Sequence, residues 1–254
     1  MTVSHLLGRR VAVTGGTSGL GLALVRELHR RGAAVAFVAR TASRVHAVAA
    51  GIPGVSGIVG DVACKGDTYP IALQITAALG GVDVLVNNAS SLGPVPLAPL
   101  ADTDCEDLEA AFATNVIGPF RLTKALLGGL AASAREARAP LVVNVSSDAA
   151  EHAFPQWGAY GSSKAALRHL SHIWREELVG LGIDIVAVDP GDMDTPLHAA
   201  AVPDADRSTL KRPEQAAVEI ADLIEERGRA TAAPRDREAE APRPVPGGLA
   251  AVAR

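Results

Sequence analysis

The sequence predicts an α/β protein in which one doubly wound parallel sheet carries helices on both faces. Three observations point there. Apolar runs alternate with helical patterns along most of the chain, and a glycine-rich turn joins the first run to a helix. The 254 residues also show no shift in composition before the last few dozen positions, which suits one large domain. Strands covered on both sides read as nearly continuous apolar stretches, and the runs here have that character.

Six runs are the strand candidates: residues 11–14, 34–39, 55–60, 82–87, 141–146 and 183–189. Between the first two, Leu20, Leu24 and Leu28 recur every four residues and Gly32 follows, as expected of a crossover helix and its C-terminal glycine. The stretches 103–138 and 157–180 also read as helices. The second carries Leu167, Leu170, Ile173, Trp174 and Leu178, an apolar spacing that suits packing against a neighbour such as a second subunit. A last helix begins near Pro213, a residue tolerated in a first helical turn, and runs through Ile220, Leu223 and Ile224. Residues 230–254 are rich in Ala, Pro and charge and are expected to form a flexible tail with at most a short strand near 249–252, leaving 1–229 as the catalytic domain.

A net charge of −4 without a basic run argues against nucleic acid as a partner, because phosphate binding needs clustered Lys and Arg. No apolar run approaches the ~20 residues that span a bilayer, and the first ten residues lack a secretion pattern, so no membrane association is expected and the protein should be cytoplasmic. Cys64 and Cys105 lack Cys-x-x-Cys spacing, and the seven histidines form no zinc-type pair. No metal is expected.

The chemistry gathers around AYGSSK at residues 159–164, where Tyr160 and Lys164 are four apart. On a helix that spacing shares one face, and an ammonium one turn away favours the phenolate of a tyrosine whose ordinary pKa is near 10. Ser147, thirteen residues before Tyr160 and at the end of an apolar strand, is placed to orient an oxygen that exchanges a proton with the tyrosine. Near the N-terminus, Gly15, Gly19 and Gly21 in TGGTSGLG lie between strand and helix, where backbone must approach a pyrophosphate and helix N–H groups can receive it.

These motifs, with NNA at 87–89, Asn115, VNVSS at 143–147 and DPGDMDT at 189–195, resemble the short-chain dehydrogenase/reductase family in order and spacing from about residue 8 to 196. The resemblance implies a Rossmann-type sheet and a tetrad of Asn115, Ser147, Tyr160 and Lys164. In it Tyr160 is the general acid or base, Ser147 binds the substrate oxygen, Lys164 lowers the tyrosine pKa and binds ribose hydroxyls, and Asn115 holds a relay water. Ser146 competes with Ser147, but the family pattern uses the second serine; Ser162 and Ser163 read as small packing residues.

The same resemblance assigns Gly15, Thr17, Ser18, Gly19, Leu20, Gly21, Asn88, Ala89, Pro190, Gly191 and Thr195 to the nucleotide, with Tyr160 and Lys164, and sets Asp61 and Val62 beside its adenine. After the second strand the chain reads Ala39-Arg40, with a forked cation where NAD-preferring enzymes carry a carboxylate, so NADPH is expected over NADH. Two departures stand out: Ser90 replaces the glycine that usually follows Asn-Asn-Ala, and the closing strand after the last helix is missing or short.

The expected activity is interconversion of a small-molecule carbonyl and a secondary alcohol by an NADP-preferring homodimer that binds cofactor first. PGDMDT followed by an apolar segment also fits a pteridine or sepiapterin-type reductase. A catalytically idle NADP(H)-sensing module is the alternative from another class, and the intact tetrad speaks against it. The pocket wall is expected to include Ser91, Leu92, Asp148, Phe154, Trp157 and Met193.

Overall fold

A computed structural model of the chain describes residues 6–232. Its strands are β1 (Arg10–Thr14), β2 (Ala34–Ala39), β3 (Ser56–Val59), β4 (Val84–Asn87), β5 (Leu141–Val145) and β6 (Asp184–Val188). All pair in parallel, in the order β3-β2-β1-β4-β5-β6. The order reverses between β1 and β4, so a crevice opens there above the carboxyl ends of the strands, where ligands bind in doubly wound sheets.

Alternation along each strand feeds two separate cores. Val11 and Val13 of β1 face α1 (Gly19–Arg30) and α8 (Pro213–Ala232), meeting Leu24, Leu28, Ile220 and Ile224. Ala12, between them, faces the opposite layer with α3 (Thr68–Leu79), α5 (Gly118–Arg135) and α6 (Gly158–Leu178), where Ile71, Ile75, Leu122, Leu126 and Leu130 are buried. Arg31, at the end of α1, ties the first layer together through Glu27, Asp222 and Glu225. The remaining helices are α2 (Ala42–Gly51), α4 (Cys105–Phe112) and the short α7 (Pro196–Ala201).

The helix expected over 103–138 is not continuous. It divides into α4, a π-turn at Ala113–Ile117 and α5. Pro119 has no N–H to give to the carbonyl four residues back, that of Asn115, so an unbroken α-helical ladder cannot run through this point. A turn of this kind inside a helix often marks a functional site, and here it holds Asn115. Helix α8 continues to Ala232; the rest of the expected tail, including the short strand near 249–252, lies outside the described residues.

Candidate active site

The loops at the carboxyl ends of all six strands enclose one cavity of about 680 Å3. Each motif singled out in the sequence contributes to its wall except Asn115, which lies fully buried behind it.

At the switch point the end of β1 is laced to the end of β4. Thr14 Oγ1 accepts from the backbone N–H groups of Asn88 and Ala89, both at 3.0 Å, and the Asn88 amide donates to the Thr14 carbonyl at 2.8 Å. Gly15 follows with φ +73°, and a Cβ there would stand 3.0 Å from Ala89 Cα. A Cβ on Gly21 would run into the Gly15 carbonyl, so the turn closes only with glycine at both places. Ser18 occupies the N-cap of α1 but its side chain makes no capping bond, which leaves the first N–H groups of a 12-residue helix without a side-chain acceptor. Thr17, Ser18, Gly19 and Leu20 all border the cavity at this end. A glycine floor under open helix N–H groups fits the pyrophosphate of a dinucleotide.

Asp61 and Val62 line the wall beyond β3; the Asp61 carboxylate accepts from the Ala63 N–H at 2.9 Å. Arg40, after β2, is exposed at the rim, and Arg44, one turn into α2, lies beside the same space. Sequence reasoning missed Arg44, although Arg40 and Arg44 are four apart. On the opposite side, Gly191 takes φ +75° after Pro190, and Lys211 secures this loop by donating to the Pro190 carbonyl at 3.0 Å. Thr195 caps α7 by accepting from the His198 N–H at 3.2 Å. Asp194, which the sequence sets near Asp189 and Asp192, is paired with Arg207.

Helix α6 delivers Tyr160 and Lys164 to the cavity while burying both, at 7% and 2% exposure. The Lys164 ammonium donates to the Val145 carbonyl at 2.7 Å and lies 5.4 Å from the Tyr160 ring centroid. Among the described residues it has no other acceptor, so two N–H groups remain for a ligand, as ribose hydroxyls would require. Ser147 Oγ accepts from the Ala149 N–H at 3.2 Å and donates to Asp148 Oδ1 at 3.0 Å. Ser146, the competing serine, is buried, and its hydroxyl has no partner among the described residues.

One expectation needs correction. Spacing alone suggested that Lys164 depresses the tyrosine pKa, but burial dominates and pushes the Tyr160 phenol up to about 12. Hydrogen bonds from Ser147 and Ser90 oppose that rise, while the Asp189 and Asp148 charges add to it. Lys164 is itself drawn down to about 8 by burial, which weakens its charge as an aid to phenolate.

Asn115 is held by its side chain. Its Nδ2 donates to the Ser91 carbonyl at 2.7 Å and to Ser163 Oγ at 2.8 Å. Its Oδ1 accepts from the Ser91 N–H at 2.8 Å and from Ser90 Oγ at 3.2 Å. Those four bonds exhaust the side-chain amide's capacity, so the expected relay water would meet Asn115 at its main-chain carbonyl, to which Pro119 gives no N–H. Ser163, read from the sequence as packing, is thus a polar member of this cluster and donates to the Tyr160 carbonyl at 2.6 Å.

All six residues expected in the pocket wall do line the cavity. Trp157 sets its ring edge-on to Tyr160 at 5.7 Å, and Leu92 packs on the same cluster. Helix α7 closes that end with Leu197, His198 and Ala201.

A buried Tyr and Lys at the mouth of a dinucleotide crevice define the class: an NAD(P)-dependent oxidoreductase. The sequence model of the short chain dehydrogenases matches residues 9–206. Aligned with L-xylulose reductase of Bos taurus, the chain is 31% identical over 204 residues, which is 80% of each protein. With a short chain dehydrogenase of Pseudocercospora fijiensis it is 35% identical over 202 residues, 77% of this chain but only 63% of that protein's length. The crystal structure of a short chain dehydrogenase from Burkholderia cenocepacia in complex with NADP superposes with a TM-score of 0.78 at 26% identity, covering 89% of this chain and 94% of that one. The chain belongs to the short-chain dehydrogenase/reductase family.

Proposed function

We propose that the protein reduces a carbonyl to a secondary alcohol, and runs the reverse reaction, with NADPH preferred over NADH and Tyr160 as the proton donor and acceptor. The observation that carries this reading is the buried pair of Tyr160 and Lys164, 5.4 Å apart from ring to ammonium, which lines the same cavity as Ser147 and the glycine cradle. When bound, the nicotinamide supplies or takes the hydride. The glycine turn and the N-terminus of α1 hold the pyrophosphate, Lys164 takes the ribose hydroxyls, and Arg40 with Arg44 takes the 2′-phosphate.

In reduction, Tyr160 Oη gives its proton to the substrate oxygen as negative charge develops there, and Ser147 Oγ donates a hydrogen bond to the same oxygen. Ser147 must turn its proton away from Asp148 to do so. In oxidation the same proton returns to Tyr160. Asn115 anchors the Ser90-Ser91 segment to α6 throughout.

The substrate end of the cavity combines apolar walls from Leu92, Phe154, Trp157 and Leu197 with the carboxylate of Asp148. Its arginines lie at the far, adenosine end. That distribution favours a neutral or cationic aldehyde or ketone with an apolar flank over a phosphorylated or carboxylated one.

Assembly as a homodimer is supported by the outer faces of α5 and α6, where Phe120 stacks on Trp174 at 5.1 Å and Ile173 is exposed, with Ile117 of the preceding π-turn exposed beside them. The free, exposed thiols of Cys64 and Cys105 suit a reducing compartment such as the cytoplasm. Following NADPH oxidation with panels of aldehydes, ketones, quinones and pterins, with Tyr160→Phe in parallel, tests the reading. Turnover on a carbonyl that disappears in the Phe variant supports it, and a Phe variant as active as the parent ends it.

A further inference from the structure

Ser147 and Asp148 both border the substrate end of the cavity, and the bond between them decides where the serine proton points. Ser147 Oγ accepts from the Ala149 N–H at 3.2 Å and gives its proton to Asp148 Oδ1 at 3.0 Å. A serine hydroxyl has one proton, so while the carboxylate holds it none is left for a substrate oxygen. Hydrogen bonds to an ionised acceptor are the stronger kind, and turning the proton away leaves the carboxylate without that donor. Asp148 is exposed to the cavity, and among the described residues it forms no ion pair that would make up the loss.

We propose that Asp148 selects the substrate, and that the preferred carbonyl compound carries an ammonium group roughly two carbons from its carbonyl carbon, given hydrogen bonds of about 2.8 Å at each end. The ammonium pairs with Asp148 while the carbonyl oxygen meets Ser147, its neighbour in the chain. A charged donor thus takes the place of the serine on the carboxylate, and the serine proton is free to turn to the carbonyl oxygen. The Asp148 charge also helps push the Tyr160 phenol up, and a cation paired with it offsets that push. The arginines and the lysine on the cavity wall do not compete for this place. Arg40 and Arg44 lie at the adenosine end, and Lys164 is buried against the Val145 carbonyl. Leu92, Phe154 and Trp157 leave an apolar wall for the rest of the molecule.

The inference rests on the carbonyl chemistry assigned to Tyr160, and binding separates the two. In the presence of oxidised NADP a ketone can bind but finds no hydride, so calorimetry reads affinity alone. Three phenyl ketones of one skeleton serve as probes: β-dimethylaminopropiophenone, which is cationic at neutral pH; isohexanophenone, in which an isopropyl group replaces the dimethylammonium; and β-benzoylpropionate, which puts a carboxylate there.

The ammonium ketone should bind about ten-fold more tightly than its isopropyl counterpart, the scale of one charge-assisted contact, and the carboxylate more weakly than either. Asp148→Asn should erase that margin, because the side chain keeps its size and loses its charge. Asp192→Asn, which removes a charge from the same cavity wall, should keep most of it. An ammonium ketone that binds no better than the isopropyl one, failure of both to bind included, would overturn the inference while leaving Tyr160 in its role. So would a margin that survives Asp148→Asn, or one that falls equally with Asp192→Asn. A Tyr160→Phe enzyme with undiminished turnover would instead remove the reading beneath it.

Discussion

Lys164 reaches the main-chain carbonyl of Val145 at 2.7 Å from a site where burial has drawn its ammonium down to about 8. An unfolded lysine titrates near 10.5, so between those values the unfolded chain binds more protons and stability rises with pH. Below pH 8 the folded protein carries a buried cation at a cost, and that cost fades as pH climbs. Lys164→Met removes the group and its pH dependence. The stability of the parent relative to the Met variant should therefore improve by about 2–3 kcal/mol between roughly pH 7 and 10, whatever constant penalty the unpaired Val145 carbonyl adds. Urea titrations at both pH values measure it, and a difference that does not change with pH would refute the buried charge. NADPH affinity should fall in the same variant, whereas Ser147→Ala should leave it near that of the parent.

The Tyr160 phenol, raised to about 12, is a proton donor across the whole neutral range. Reduction should therefore show no limb from Tyr160 at neutral pH, while oxidation, which needs the phenolate, should climb steadily with pH. Replacing Tyr160 by Phe should cost ~10²–10⁴ in turnover, with NADPH affinity changed only a few-fold. An oxidation rate already level at neutral pH would contradict the direction of the shift.

What was legible in the sequence, and what was not, follows from the range over which each feature is determined. Strands such as β4 and β5 are buried on both faces, so their apolar runs are local and readable. Tyr160 and Lys164 share a helix face because they are four apart, and that too is local. The effect of one on the other is not, because burial by β5, Leu92 and Trp157 decides it, and residue spacing carries no measure of burial. Asn115 shows the same limit: the groups that saturate it lie 24 residues before it and 48 after it. Pro119 does carry a local signal for the break between α4 and α5, although a proline is equally tolerated in a first helical turn, so the signal alone does not separate a break from a helix start.

Assembly can be tested at the α5 and α6 faces. Phe120 is 36% exposed and stacked on Trp174, with Ile117 and Ile173 also open to solvent. If two copies meet there, Phe120→Glu places a charge in an apolar contact and should convert a dimer into a monomer. Light scattering of both proteins reads this directly. A monomeric parent, or a Glu variant that stays dimeric, would rule out this face.

Cofactor choice turns on the rim after β2, where Ala39 brings no repulsive charge and Arg40 and Arg44 offer two attractive ones to a 2′-phosphate. Among the described residues neither arginine forms an ion pair with a carboxylate, so neither must be detached before binding. A charge-assisted contact to phosphate is worth about 1.5–3 kcal/mol, or a ten- to hundred-fold preference for NADPH. Arg40→Ala should remove most of that preference, and Arg44→Ala a smaller part. Ala39→Asp should go further, because a carboxylate accepts from the ribose hydroxyls of NADH and repels the phosphate of NADPH. The ratio of kcat/KM for the two cofactors, measured on the parent and the three variants, orders these effects. A parent that prefers NADH, or a ratio unmoved by Arg40→Ala, would make Arg40 a solvated surface residue.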